Sequence, residues 1–205
     1  MNINRLKVLE SKFFAMYPEG FMDDKFKAVS KKHNFKKVSQ FVRDVCSEES
    51  LKQGLYAIDD IMRVVSKSSM VSVFEKMRFR DLVREFDVTE KMLVVAAINE
   101  LIHGDEEEGF TELYNMLSPY KLAKWPILTV FRAYYYPEYD VLVKPTTVKK
   151  ILKYLEIEDI QYSPKASYDF YNKYRDHINF LKKQVDPRLS PHNPAFSGFM
   201  MITID

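Results

Sequence analysis

Apolar positions recur along most of this chain at helical spacing. Ile3, Leu6, Leu9, Phe13 and Met16 predict a helix over residues 3–16, which Tyr17-Pro18-Glu19-Gly20 then breaks. A second helix is predicted from Asp23 to Lys32, with Phe26 and Val29 on one face. Phe35, Val38, Phe41, Val42 and Val45 predict a third. Ser47, followed by Glu48 and Glu49, reads as a helix start that Leu51, Leu55, Ile58, Ile61, Met62 and Val65 continue. After a break at 66–69, Met70, Val73, Phe74 and Met77 begin a helix that runs through Arg84. Asp87 with Glu90 three residues on has the form of a capping box. The run Met92 to Ile98 behind it is apolar on nearly all sides, which predicts a buried central helix. Asp105 to Glu108 start a shorter helix that ends at Ser118-Pro119.

The stretch from Pro119 to Lys153 organises the rest. Pro126 disfavours helical geometry at Trp125, the one tryptophan, and suits the first turn of a new helix running through Ile127, Leu128, Val130, Phe131 and Tyr134. Val141-Leu142-Val143 is a short β-prone run. Thr146 or Thr147 is expected to cap the following helix, built on Val148, Ile151, Leu152 and Leu155. Residues 157–165 read as a loop with room for a short strand, and Tyr168 to Val185 as a long helix. Pro187 to Pro194 predict little regular structure, and a strand is expected near Phe199 in the apolar C-terminus. The fold class is therefore mainly α, a single compact helical domain over 1–205. At most a small β element is expected, near 141–143 and at the C-terminus. A subdivision into a helical body, 1–118, and a basic, aromatic-rich part, 119–205, stays open.

Composition narrows the function. Five glycines argue against a turn-rich all-β fold, and no Gly-rich nucleotide loop is present. Cys46 is the one cysteine, so neither an internal disulfide nor a Cys-based zinc site is available. No apolar run approaches a membrane span and no signal region follows Met1, so a soluble cytoplasmic protein without membrane association is expected. His33, His103, His177 and His192 stand apart from one another, Cys46 has no catalytic signature, and no metal or cofactor is expected. The acids at 106–108 read as a solvated helix start.

Charge is blocky. Lys25 to Arg43 holds seven basic residues and no acid, while Asp105 to Glu112 holds five acids and no base. Residues 119–188 carry 13 basic against 8 acidic side chains. Such blocks invite an electrostatic partner. The candidate anion or nucleic-acid contacts are Lys31, Lys32, Lys36 and Lys37 in the first block. In the second they are Lys144, Thr146, Thr147, Lys149 and Lys150, where free backbone amides of a helix start lie beside lysines. Trp125, Tyr135 and Tyr136 are candidate stacking rings. The plainer alternative is a capped amphipathic helix with solvated lysines and core aromatics. The leading functional expectation is a binding module for nucleic acid or another polyanion. A protein-interaction subunit or homodimer without activity is one alternative. The other is an enzyme of unrecognised class with a site near Trp125, Arg132 and Lys144.

Overall fold

Twelve α-helices make up most of the chain in a computed structural model that describes residues 1–30 and 34–204, the side chains of Val29 and Ser30 excepted. Helix covers 73% of the chain in one compact all-α fold, and the described residues contain no strand. In order the helices are α1 Ile3–Met16, α2 Asp24–Ser30, α3 Phe35–Val45, α4 Glu48–Leu51, α5 Ile58–Lys67 and α6 Val73–Glu85. Then come α7 Val88–His103, α8 Glu106–Leu117, α9 Trp125–Tyr135, α10 Pro145–Tyr154, α11 Tyr168–Lys182 and α12 Asn193–Thr203. Among the described residues no helix is long and apolar enough to cross a membrane.

Helix α9 is the centre. Every residue from Trp125 to Tyr134 is buried, and α3, α5, α7 and α8 all pack on it. Its start follows from chemistry visible in the sequence: Pro126 sits in the first turn, where its missing amide hydrogen costs nothing. The expectation that α7 would be buried on nearly all sides needs correction. Val94, Val95, Ala97, Ile98, Leu101 and Ile102 face the core, but Met92 and Leu93 are each about half exposed, at 51% and 53%. A helix with apolar residues all round was assigned to the core, whereas one of its faces lies on the surface.

The two β expectations are also corrected. Val141, Leu142 and Val143 are buried but irregular, with no partner strand among the described residues. The Val143 amide donates to Thr129 Oγ1 at 3.1 Å, so a side chain of α9 takes the place of a ladder. The C-terminus is helix α12, with Pro194 in its first turn and the His192 ring accepting from the Ala195 amide at 3.1 Å. Phe196, Phe199, Met200 and Thr203 are buried at a spacing of three and four residues, which is a helical stripe. It lies against α1, α10 and α11. Residues 157–165 form a loop without a strand.

Smaller boundaries shift for local reasons. The helix expected from Ser47 to Val65 is two, because Gly54 takes a left-handed φ of 62° between α4 and α5. Helix α6 starts at Val73, after a reciprocal cap between Ser72 and Glu75. The predicted box at Asp87 and Glu90 caps α7.

Candidate functional site

A half-open cavity of about 550 Å3 lies among several elements, with Ser69 and Met70 of the α5–α6 connection, Leu142 and Pro191 in its lining. The rest of its wall includes the start of α10 (Lys144, Thr146, Thr147), the face of α12 (Ala195, Gly198, Met201, Ile202), the α1–α2 region (Phe21, Phe26) and Phe35 at the start of α3. Helix α10 opens directly at Pro145, with Lys144 at the capping position. No side chain caps it, which corrects the expectation that Thr146 or Thr147 would. Both threonines lie in the first turn instead, where their amides lack helical acceptors. Proline supplies the start, and the absence of a side-chain cap leaves those amides for another acceptor.

The polar groups of the wall are few. The Lys144 ammonium is exposed and makes no ion pair among the described residues. Thr147 is 8% exposed, and its hydroxyl has no hydrogen-bond partner among them. His192 stacks on Phe35 with ring centroids 4.1 Å apart. Burial pushes its imidazole down to about 4, so it is neutral at pH 7. Because Nδ1 accepts from Ala195, the proton sits on Nε2, which is left as a donor. No carboxylate lines the cavity among the described residues.

The other candidate residues divide. Lys36 and Lys37 are exposed on the first turn of α3, next to Phe35 in the wall. Lys31 and Lys32 lie outside the described residues. Lys149 sits over the Tyr162 ring at 5.0 Å and, with Lys153, lines a separate depression that also holds Glu156 and Glu158. Lys150 is exposed and lines neither. The basic residues of α10 therefore do not form one positive surface.

The proposed stacking rings are engaged within the protein. Trp125 is 2% exposed, donates from Nε1 to the Ser163 carbonyl at 2.8 Å, and packs on Phe110 and Phe170. Tyr135 and Tyr136 are half-buried, edge to face at 4.7 Å, and the Tyr136 hydroxyl donates to the Ile102 carbonyl. None of the three lines the cavity.

A second polar constellation is internal. Asp140 is fully buried and accepts from Arg132 Nε at 2.9 Å, Arg175 Nη1 at 2.7 Å and the Tyr171 hydroxyl at 2.9 Å. Glu106 pairs with Arg132 at 3.2 Å and with Arg175, so it is no solvated helix start. Burial pushes the Glu106 carboxyl up against the pull of the two arginines. Burial, with Asp140 beside it, also raises the Tyr171 phenol, which keeps its proton as a donor. Two guanidinium groups face two carboxylates, and the set joins α8, α9, α11 and the segment after α9. Arg132 belongs to this network and Trp125 to the core, so neither shares a cavity with Lys144. The chemistry of the network is that of a structural tie. Burial pushes the Cys46 thiol up to about 12, so it stays protonated and is no nucleophile.

Sequence reasoning singled out Lys144, Thr146 and Thr147 but missed His192, Gly198 and Phe35 as partners in the wall. The signal for α12 was present in His192-Asn193-Pro194, a capping side chain followed by proline. No protein family, curated protein or solved structure matches this chain.

Proposed function

We propose that the protein is a binding module for an anionic ligand, held at the start of α10. The observation that carries this is the placement of Lys144 and the uncapped start of α10 in the wall of one cavity. Phe35, from the first stretch, and Lys144, from the second, share its wall. Lys144 makes no ion pair among the described residues, the amides of Thr146 and Thr147 are available, and Lys36 and Lys37 are exposed on the first turn of α3, which begins with Phe35 of the wall. A helix start with a neighbouring cation favours negative charge. Nucleic acid and other polyanions belong to the same class, reached through phosphates along Lys144, Lys36 and Lys37. Base stacking adds little, since Trp125 is buried.

The test is fluorescence anisotropy at low salt with labelled single- and double-stranded oligonucleotides, competed by inorganic polyphosphate. Three lysine contacts give an expected log–log salt slope of about −2 to −3. Lys144→Glu should weaken every anion that binds by about tenfold or more. If no anion binds more tightly than about 100 µM, or if binding ignores Lys144→Glu, the reading fails.

Association with another protein chain is a second reading. The apolar C-terminus no longer supports it, because α12 docks on the body of its own chain. It draws instead on Val88, Met92 and Leu93, which share an exposed face of α7, and on Phe74 and Tyr56, exposed to 81% and 87%. Sedimentation velocity separates this reading: a monomer at micromolar concentration removes self-association.

A further inference from the structure

We infer that the cavity takes a single-chain anionic amphiphile, its head at the start of α10 and its chain against the apolar wall of α12. This rests on the proposed anion site and adds what lies behind the charge.

The wall behind Lys144 is apolar: Phe21, Phe26, Leu142, Met201 and Ile202 dominate it. A nucleotide or polyphosphate would leave its polar atoms against those side chains without partners, at a cost of about 1–3 kcal/mol for each group. An alkyl chain meets them with favourable burial. The charge pattern matches one negative group, since the wall offers one unpaired cation and no carboxylate among the described residues. Thr147 gives a second, independent pointer. The residue is 8% exposed and lines the cavity, its hydroxyl has no partner among the described residues, and a carboxylate or sulfate oxygen would accept from it. Neutral His192 lines the same wall.

Size agrees. A void of about 550 Å3 lies within the range of about 300–1,000 Å3 found for small-molecule sites. At roughly 30 Å3 per chain carbon, close to the share of one water in the liquid, a chain of about twelve carbons fits and leaves space for the head.

Gly198 provides a clean test. It lies on α12 in the wall, and a Cβ added there meets nothing within 4 Å. Gly198→Leu should therefore fill the cavity without disturbing the helix, which gains a better helix former. The experiment is isothermal titration of the full chain with dodecanoate, its uncharged glycerol monoester and acetate. The proteins are wild type, Lys144→Glu and Gly198→Leu, each first shown to melt cooperatively. Dodecanoate should bind wild type at least tenfold more tightly than the monoester and at least a hundredfold more tightly than acetate. Each substitution should weaken dodecanoate by tenfold or more, while Gly198→Leu leaves the response to polyphosphate unchanged.

Equal binding of dodecanoate to wild type and Gly198→Leu would place the chain elsewhere and overturn the inference. Equal binding of the monoester would show that the head is not read. If dodecanoate fails while polyphosphate binding still depends on Lys144, the amphiphile is wrong and the anion site stands. If neither depends on Lys144, both fall together.

Discussion

Asp140 shows how much one side chain can carry in this fold. It is fully buried and accepts from two guanidinium groups and a phenol, and Glu106 completes the charge balance. A buried ionic cluster need not be more stable than an apolar replacement. Removing one partner from it is costly, however, because the remaining charges stay desolvated. Asp140→Asn keeps the shape and deletes the charge, leaving two arginines against one carboxylate. The expected loss is about 3–5 kcal/mol, read from urea unfolding, with Tyr171→Phe costing less because it removes one neutral donor. A loss under about 1 kcal/mol for Asp140→Asn would mean that water reaches the arginines. The sequence offered little sign of this cluster. Arg175 lies 35 residues from Asp140, and Glu106 lies 69 from Arg175. Ion pairs at such separations leave no period, whereas the apolar stripe of a helix does. Lys144 was legible for the opposite reason: its partners are the backbone of the next turn, beside it in the chain.

At the scale of elements, the tightest joint is between α7 and α8. A Cβ on Gly109 would lie 2.1 Å from the Leu101 nitrogen and 2.5 Å from its Cα. Both are backbone atoms and cannot swing aside, so the two helices approach at this point only because no side chain intervenes. Gly109→Ala is expected to destabilise by about 1–3 kcal/mol or more through forced separation, despite the better helix propensity of alanine. A thermal melt at or above the wild-type temperature would show that the joint can open without penalty. Helix starts were the most legible part of the chain, because caps are local: the Asp87–Glu90 box and Pro126 mark their helices. Which helix lies at the centre was less so. Both α7 and α9 are strongly apolar, and what separates them is burial: every residue from Trp125 to Tyr134 is covered, whereas Val88, Met92 and Leu93 of α7 face outward. That is a tertiary property, and composition cannot rank it. The β expectations failed similarly. Val141 to Val143 is buried and β-branched in part, yet the Val143 amide is taken by the Thr129 hydroxyl rather than by a strand.

At the scale of the molecule, the two ends of the chain close one structure. The Asn2 amide donates to the Leu155 carbonyl at 2.7 Å, and Arg5 pairs with Glu156 at 2.8 Å, so α1 is fastened to the end of α10. Phe13 of α1 meets Phe199 of α12 edge to face, with centroids 5.5 Å apart and ring planes at 88°. Both rings are fully buried. The same α12 supplies a wall of the cavity, and so the proposed site depends on contacts between residues nearly two hundred positions apart. If the chain is a single cooperative unit, Trp125 fluorescence, which reports on the packing of Trp125 against Phe110 and Phe170, and far-UV circular dichroism, which reports on all helices, should unfold at one midpoint. A double-mutant cycle of Phe13→Leu and Phe199→Leu should return a coupling of about 0.5–1.5 kcal/mol, the worth of an edge-to-face pair beyond its buried area. Separate midpoints would instead mean that the core around Trp125 opens apart from the rest of the helices. Strict additivity in the cycle would mean that the Phe13–Phe199 pair adds nothing beyond its buried area, and that other contacts hold α12 against α1.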